Sequence, residues 1–388
     1  MSNAKSIVEL GTSKLVCVIL PKNTRNAASP GAACIRYDGI RNARFVNSRG
    51  LLDSVEDVIS IAENKADREI HETDVSVPGC FTRVLMASGR LTLPGECVTQ
   101  ADVDSLLEHI SPRIDKSWVR IGVFPVYFLD DKGEMYLNPP IGVSTRKLSA
   151  AVSFAYANGR YIDTVTRVFK QLHIGINDFL CEAQCQAMYF IPAKVRDGAA
   201  ILLDIGYYDI NISVIFGDAV IAHTTIHKGA YLLTRDLCDQ LVIDVMTAES
   251  LKRNHIFGVV PASRVYGKNA LGKMIPFAGG VVKKVLEERA SDICIDISEK
   301  IREFSDIVAE DTPVYLAGAG MASRGADMFL QTKLGRKVIV QRQKGANVYP
   351  PFYNCALSML DNEAQSVYHF NSGSGIKRVA DRLKKFFR

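Results

Sequence analysis

The chain has 388 residues, of which 47% are hydrophobic and 23% are charged. These proportions are typical of globular proteins and exclude collagen, coiled coil and an extended disordered chain. No apolar run approaches the roughly 20 residues needed to span a bilayer. The apolar stretch 15–20 is short and has polar neighbours, so we predict no signal peptide. Nine cysteines without a CxxC pair favour a reducing cytoplasm over a disulfide framework or a zinc site.

The net charge of +5 is concentrated at the C-terminus. Residues 376–388 contain six bases and one acid, so the remaining 375 residues hold 41 bases and 41 acids and carry no net charge. A general nucleic-acid binder is expected to have a basic face on its folded body. We therefore predict no nucleic-acid partner.

The predicted elements alternate between strands and helices. Two strands, 6–10 and 14–20, are separated by the turn Gly11-Thr12-Ser13. Thr99, followed three residues later by Asp102, predicts a capping box at the start of a helix. The other predicted elements are a helix over 53–66, strands near 74–78 and 82–93, a strand at 148–156, a helix at 160–172, strands at 199–205 and 210–216, helices at 231–245, 247–256 and 280–304, a strand at 314–317, a helix near 323–333 and a strand at 337–341.

Two segments of the chain begin alike. In each, a strand ends in an acid, a glycine turn follows, and the chain returns as a second strand: Glu9 with Gly11, and Asp204 with Gly206. This similarity predicts an internal duplication of an α/β unit with a cleft between the halves. Glycine in such turns lets backbone N–H groups approach a phosphate, and an acid at the strand end can hold Mg²⁺ through water.

Three further segments fit such a cleft. Leu-Ala-Gly-Ala-Gly at 316–320, together with the two glycine turns, resembles the adenosine and phosphate loops of the actin-like ATPases. Glu249 and Lys252 share one face of a predicted helix, where that fold contacts ribose and adenine; the alternative, and the commoner case, is a solvated ion pair. Glu182 lies in a segment that resembles the region of the fold's water-orienting acid, although Ala183 replaces a proline.

Two other motifs are rejected. The segment 267–273 fits a P-loop until Met274 replaces the required serine or threonine, and no predicted strand precedes it. Cys181 and Cys185 have helical spacing, but no histidine or further cysteine lies nearby, so we interpret them as core residues.

At this point the chain resembles the FtsA family of bacterial cell-division proteins over essentially its whole length. No single motif is specific, but their order and spacing are. They are Glu-Leu-Gly-Thr-Ser-Lys at 9–14, Ser-Arg-Gly-Leu-Leu-Asp at 48–53, Thr-Gln-Ala-Asp-Val at 99–103, Asn-Pro-Pro-Ile-Gly at 138–142, Asp-Ile-Gly at 204–206, Lys228-Gly229 with Thr234 and Asp236, Ala248-Glu249 with Lys252 and Gly258, Ala-Gly-Ala-Gly at 317–320, and a basic amphipathic tail.

The resemblance implies an α/β, actin-like ATPase fold: two related α/β halves around a nucleotide cleft, with an FtsA-type 1C subdomain in place of actin's 1B. The implied boundaries are 1–80, 158–197 and 351–370 for subdomain 1A, 81–157 for 1C, 198–228 and 313–350 for 2A, 229–312 for 2B, 371–375 for a linker and 376–388 for a membrane-targeting helix.

The resemblance also implies a function and a site. The protein would bind ATP with Mg²⁺, self-associate into filaments, and tether FtsZ, through its C-terminal peptide bound on 2B, to the cytoplasmic face of the membrane at the division septum. Glu182 would be the catalytic acid, and Asp204 and Glu9 would hold the metal through water. The implied nucleotide contacts are Gly11, Thr12, Ser13, Lys14, Gly206 and Tyr207 for the phosphates, Glu249 and Lys252 for the ribose, and Gly318, Ala319, Gly320 and Met321 for the base.

Departures from the family pattern leave alternatives open. Glu9 replaces an aspartate, Tyr207 and Tyr208 replace small polar residues, and Ala319 replaces a glycine. We therefore expect at most weak ATPase activity. The alternatives are a true ATPase or kinase of the same fold with Glu182 as base, an FtsA-like scaffold whose nucleotide site is degenerate or lost, and a pilus-assembly relative of FtsA.

The C-terminal residues 376–388 predict an amphipathic helix that lies on an anionic membrane surface. Its apolar face comprises Ile376, Val379, Leu383, Phe386 and Phe387, and bases that include Lys377, Arg378, Lys384 and Lys385 fill the other face. An apolar stripe alone favours a helix docked on the protein body. The preceding Gly-Ser linker and the almost purely basic polar face favour the membrane instead.

Overall fold

The computed structural model describes residues 4–21, 31–340 and 349–361. Its strands are, in chain order, Ala4–Leu10 (β1), Lys14–Pro21 (β2), Gly31–Arg36 (β3), Ile40–Arg41 (β4), Arg44–Phe45 (β5), Glu72–Val77 (β6), Thr82–Thr92 (β7), Trp118–Leu129 (β8), Met135–Tyr136 (β9), Lys147–Asn158 (β10), Gly175–Cys181 (β11), Ala199–Ile205 (β12), Ile210–Phe216 (β13), Ala219–Ile226 (β14), Arg264–Lys268 (β15), Met274–Ala278 (β16), Val314–Ala317 (β17) and Val338–Val340 (β18). Its helices are Arg49–Ala66 (α1), Gln100–Ile110 (α2), Gly159–Gln171 (α3), Glu182–Phe190 (α4), Ala193–Arg196 (α5), Tyr231–Leu241 (α6), Val245–Asn254 (α7), Gly279–Arg302 (α8), Ala326–Leu334 (α9) and Asn354–Leu360 (α10). The predicted linker 371–375 and tail helix 376–388 lie outside the described residues.

Two five-stranded sheets repeat one arrangement. Their strand orders are β11-β6-β1-β2-β3 and β18-β17-β12-β13-β14. In each sheet three consecutive strands pair antiparallel, and two further strands add in parallel on the other side. The predicted duplication is therefore confirmed, with β1 and β2 equivalent to β12 and β13.

Helices cover both faces of the first sheet because its strands are apolar on both faces. On one face, α1 and α3 contribute Leu51 and Tyr161 to a buried core. On the other face, α4 and α10 contribute Cys185 and Met359. Cys181 is also buried, so the interpretation of this cysteine pair as core residues is confirmed.

An antiparallel sheet of order β7-β10-β8-β9 is inserted with α2 between β6 and α3. The predicted capping box starts α2, because the Thr99 amide donates to Asp102 Oδ2 at 2.9 Å and the Asp102 amide donates to Thr99 Oγ1 at 3.3 Å. The insertion also contacts the second half, where the Ser153 hydroxyl donates to the Val220 carbonyl at 2.5 Å. It corresponds in chain position to the predicted 1C subdomain, whose boundaries remain a prediction.

Two local predictions were wrong. The predicted helix 231–245 ends early, at Leu241, because Val242 adopts a left-handed φ of 52° and ends α6, a conformation that a β-branched residue rarely takes. The next predicted helix, 247–256, begins at Val245. The segment 267–273 does follow a strand, since it overlaps the end of β15 and forms the turn of the β15–β16 hairpin. That hairpin differs from the strand–loop–helix context of a P-loop, so the rejection of the P-loop is confirmed.

Candidate functional site

Two equivalent turns are connected by one side chain between the halves. The first turn, residues 11–13, joins β1 to β2, and the second turn, residues 206–209, joins β12 to β13. Arg41, in the small β4–β5 hairpin, donates to the Thr12 carbonyl at 3.5 Å. Its guanidinium carbon also lies 3.1 Å from the centroid of the Tyr208 ring. The two predicted phosphate loops therefore lie in one cleft.

Three carboxylates lie close enough behind these turns to influence one another: Glu9, Glu182 and Asp204. Burial raises the pKa of Glu182 to about 8, and the charge of Glu9 adds to the rise. Burial also raises the pKa of Asp204, although a hydrogen bond from Gln186 Nε2 at 3.2 Å opposes the effect. Because like charges disfavour ionisation, this cluster favours a bound proton or a cation.

A small polar cavity lies beside these acids, against α4, β12 and β13. It is lined by Gly79, Glu182, Ala183, Gln186, Leu202, Asp204, Asn211 and Ser213 and leaves about 10 Å³ for a water centre. That is roughly the room that one water molecule needs. Among the described residues, Glu182 Oε1 and Gln186 Oε1 have no hydrogen-bond partner. The cavity can thus hold a water next to the predicted catalytic acid.

Lys14 and Glu9 are bound to each other rather than turned toward a ligand. Lys14 Nζ lies 2.6 Å from Glu9 Oε1 and also donates to the Phe352 carbonyl. The Ala356 amide donates to Glu9 Oε2 at 3.1 Å. Burial alone would lower the pKa of Lys14, but the Glu9 carboxylate outweighs burial and raises it. The pair therefore ties the first turn to the segment that leads into α10.

The two tyrosine side chains of the second turn contact each other, and Tyr208 also reaches the first half. The rings of Tyr207 and Tyr208 lie 4.7 Å apart, edge to face. The Tyr208 hydroxyl donates to Asp38 Oδ1 at 3.4 Å, while Arg41 stacks on its ring. Burial raises the pKa of Tyr207 to about 12, and the charge of Glu249 adds to the rise. These aromatic rings occupy part of the space between the second turn and the first half.

The residues predicted to contact the ribose form hydrogen bonds within the protein instead. Lys252 Nζ lies 2.6 Å from Glu249 Oε1 and 2.8 Å from Thr234 Oγ1, and the Thr234 hydroxyl donates to Glu249. The Tyr207 ring lies 5.0 Å from Lys252 Nζ. Lys252 is only 7% exposed, so the solvated surface pair, which was the commoner alternative, is excluded.

The predicted base loop packs directly on the second turn. The Gly320 amide donates to the Ile205 carbonyl at 2.8 Å. A Cβ at Gly320 would lie 2.5 Å from the Gly206 carbonyl oxygen, and a Cβ at Gly318, whose φ is +80°, would lie 2.4 Å from Asp204 Oδ1. Met321 is buried. The loop residues, Ala319 included, therefore adjoin the second turn, and their contact with a base stays a prediction.

No role was predicted for Asp38, Arg41 or Thr234, although they complete the cleft. Thr234 stood in a family motif, and its contact with Glu249 spans α6 and α7, which no local pattern reports. A backbone signal marks Arg41, because Asn42 and Ala43 beside it both have positive φ. That signal belongs to the structure and has no counterpart in the sequence.

The residues present fit a nucleotide only in part. Lys14, Glu249 and Lys252 already have partners within the protein, and both oxygens of Glu9 accept hydrogen bonds. Asp204 is the better-suited metal ligand. Burial raises its pKa, and a nearby cation would lower that pKa by stabilising the ionised carboxylate. In residues 4–21, 31–340 and 349–361, no three His, Cys, Asp or Glu side chains are grouped to hold a metal ion. Water-mediated binding of Mg²⁺ therefore remains a prediction.

A larger groove lies away from the cleft, between the start of β8, the end of α3 and β11. It has a volume of about 840 Å³ and is lined in part by Arg120, Lys170, His173 and Asp178.

Within the described part of the chain, no helix has both the length and the apolar composition needed to cross a membrane.

Comparison with known structures defines the fold. The chain superposes on the PilM–PilN type IV pilus biogenesis complex with a TM-score of 0.61 and 13% identity, covering 91% of this chain and 96% of that one. It superposes on the ethanolamine utilization protein EutJ from Carboxydothermus hydrogenoformans with a TM-score of 0.55 and 15% identity, covering 92% of this chain and 88% of that one. It superposes on MreB5 of Spiroplasma citri bound to ADP with a TM-score of 0.52 and 10% identity, covering 92% of this chain and 95% of that one. The protein thus has an actin-like α/β fold, and the predicted fold class is confirmed.

Sequence comparison points to one branch of this class. No protein-family model matches the chain. The cell division protein FtsA of Neisseria meningitidis serogroup B is 23% identical over 311 residues, covering 78% of this chain and 72% of that protein. FtsA of Pseudomonas aeruginosa is 22% identical over 258 residues, covering 65% of this chain and 61% of that protein. The chain therefore has weak sequence similarity to these two FtsA proteins.

Proposed function

We propose that this protein is an actin-like adaptor of bacterial cell division. It would assemble into filaments and link FtsZ to the cytoplasmic face of the membrane at the septum. The observation that carries this proposal is the similarity to FtsA over 311 residues on an actin-like fold. A fluorescent fusion tests it in dividing cells: we expect a band at midcell, and a uniform or polar signal would contradict the proposal.

The proposed partner is the C-terminal peptide of FtsZ, bound on residues 229–312. This region contains α6, α7, β15, β16 and α8. A pull-down with that peptide at tens of micromolar should recover the protein, whereas a scrambled peptide of equal charge should not. Equal recovery by both peptides, or by neither, would contradict this partner.

We further propose that the cleft takes ATP and Mg²⁺ after a local rearrangement. Lys252 would exchange Glu249 and Thr234 for the ribose, and the rings of Tyr207 and Tyr208 would move away from the phosphates. These exchanged contacts cost free energy, so we expect weak binding and turnover below about 1 s⁻¹. Calorimetry with millimolar ATP–Mg²⁺ and a phosphate-release assay measure the two quantities.

A second candidate is an FtsA-like scaffold that assembles without nucleotide. The specific observation in its favour is that Lys14, Glu249 and Lys252 already have partners inside the protein. Sedimentation with and without ATP–Mg²⁺ distinguishes the two functions. Equal assembly without detectable heat of binding would support the scaffold, and nucleotide-dependent assembly would exclude it.

The membrane anchor is proposed to be the tail 376–388, which lies outside the described residues. Its six bases and apolar face suit an anionic lipid surface. Many tails presented by one filament would bind more firmly than a single tail. Removing residues 376–388 should release the protein into the cytoplasm. If the protein without its tail keeps its activity in the cell and does not locate to the septum, a pilus-assembly role is favoured instead.

A further inference from the structure

The basic hairpin, defined as residues 264–278, has an inner face and an outer face. It consists of β15 and β16 with the turn between them, and it packs on α7. Gly267 is buried, and a Cβ there would lie 2.9 Å from the Leu251 side chain. Because side chains alternate along a strand, the neighbours of Gly267 point outward. Lys268 and Met274 form a cross-strand pair on this outer face, and both are exposed.

Large apolar side chains are exposed on the outer face and at the tip of the basic hairpin. Leu271, at the tip, is 85% exposed, Met274 is 58% exposed and Tyr266 is 50% exposed. Single exposed apolar residues are common on protein surfaces. Three exposed apolar residues on the basic hairpin, with the most exposed at its tip, indicate a surface that a membrane or another molecule covers.

The charges that surround these apolar side chains have one sign. Arg264, Lys268 and Lys273 are exposed, and none forms an ion pair within the described part of the chain. The hairpin itself, residues 264–278, contains these three bases and no acid. The four other bases of the stretch 250–286 pair with Glu249, Glu287 and Glu288. The basic hairpin thus carries unneutralised positive charge that complements an anionic surface.

The tip of the basic hairpin is held rigid by one asparagine. The Gly272 amide donates to the Asn269 carbonyl at 2.8 Å, and the Lys273 amide donates to Asn269 Oδ1 at 2.8 Å. Gly272 accommodates the tight turn with a φ of +79°. These hydrogen bonds hold the backbone of the turn that carries Leu271, and a preorganised backbone reduces the entropy lost on binding.

We propose that the basic hairpin is a second membrane contact, which inserts Leu271 into the interface of an anionic bilayer while Lys268 and Lys273 bind lipid headgroups. A projecting ribbon suits a lipid surface, whereas a peptide partner is usually bound in a groove. Tyrosine beside an apolar tip is also a side chain enriched at membrane interfaces. The proposal rests on the membrane role proposed above and adds a contact independent of the tail.

Insertion of the tip can be measured in the full chain with Leu271→Trp. Vesicles of equal parts brominated phosphatidylglycerol and brominated phosphatidylcholine should quench the introduced indole. They should not quench the single native tryptophan, Trp118, in the unchanged chain. Met328→Trp is the matched control, because Met328 is 61% exposed on α9. Vesicle-bound protein whose introduced indole is not quenched, or is quenched no more than the control, overturns the hairpin contact and leaves the tail anchor intact.

Affinity variants separate the contribution of charge from that of the apolar tip. Each of Lys268→Gln and Lys273→Gln should lower partition onto anionic vesicles about five-fold, and Leu271→Ala should lower it about ten-fold. The control Met328→Ala should leave partition unchanged. The membrane proposal is wrong if Leu271→Glu leaves partition onto vesicles unchanged but abolishes another interaction. Loss of FtsZ-peptide binding would make the basic hairpin a peptide site. Loss of sedimentation without lipid would make it a contact between copies of the chain.

Discussion

The first and second turns share a backbone plan but differ in their side chains. A Cβ at Gly11 would lie 3.0 Å from the Lys14 carbonyl oxygen, and a Cβ at Gly206 would lie 2.9 Å from the Asp209 carbonyl oxygen. Both turns therefore need glycine for the same close approach. The comparison indicates that duplication preserved the strand–turn–strand geometry, while the residues next to each glycine decide what the turn can bind.

The side chains also hold the two turns in different ways. The first turn has small polar residues and is supported from behind by the ion pair of Lys14 with Glu9. The second turn is supported from the front, where Tyr208 contacts Asp38 and Arg41 in the other half. Opening the cleft should thus affect the second turn far more than the first, and the two can be tested separately.

The largest expected effect is on the support of the first turn. Lys14→Met leaves the Glu9 carboxylate buried without its cation, which typically costs about 3–5 kcal/mol in the free energy of unfolding. Urea denaturation measures this loss. The double variant Lys14→Met, Glu9→Gln should recover most of the stability, because it removes the uncompensated charge. A single variant as stable as the unchanged protein would show that the pair contributes little.

The next effect is the pH dependence contributed by Glu182, which lies behind the two turns at the start of α4. Its pKa of about 8 in the folded protein exceeds the ordinary glutamate value of about 4.3. The folded state therefore holds a proton that the unfolded state releases. The resulting stability is fully present below about pH 4 and is lost as the pH rises through about 8.

Comparison with Glu182→Gln isolates this dependence. Between about pH 5 and about pH 7, the free energy of unfolding of the unchanged protein should fall relative to the variant by about 1.4 kcal/mol per pH unit. Denaturation curves at several pH values measure both proteins. Parallel pH profiles would mean that Glu182 is ionised in the folded state.

Opening the second turn should strengthen nucleotide binding. Tyr207→Gly combined with Tyr208→Thr removes two rings and restores a hydroxyl, so we expect ATP–Mg²⁺ affinity to rise about ten-fold, or about 1.4 kcal/mol. Tyr231→Phe is the control, since Tyr231 contacts both rings from α6. If calorimetry finds no gain over that control, the rings are not what limits binding.

The smallest expected effect concerns the contact across the cleft. Arg41→Ala removes the stacking on Tyr208 and should lower the free energy of unfolding by about 1 kcal/mol. Arg44→Ala, on the same small hairpin, is the matched control because Arg44 is exposed. Equal losses in both variants would place the effect in the β4–β5 hairpin itself rather than in its contact with Tyr208.

Local patterns in the sequence determined the elements and their order. The strands 199–205 and 210–216 were predicted with the bounds that the structure has, because buried strands are continuous apolar runs between turn residues. The capping box at Thr99 was predicted because both of its partners lie within one helical turn. The duplication followed from two such local patterns in the same order.

The tertiary structure decided which side chains are available for a ligand. Lys14 meets Phe352, and Glu249 meets Thr234, through contacts between separate elements of the fold. Arg41 reaches Tyr208 only because the two halves pack together. Sequence periodicity reports whether a residue is buried, but the partner that a buried charge or ring finds depends on how distant elements are placed. The sequence therefore specified two glycine turns and the charged residues beside them, and only the packing of the halves showed that these residues bind one another within the protein.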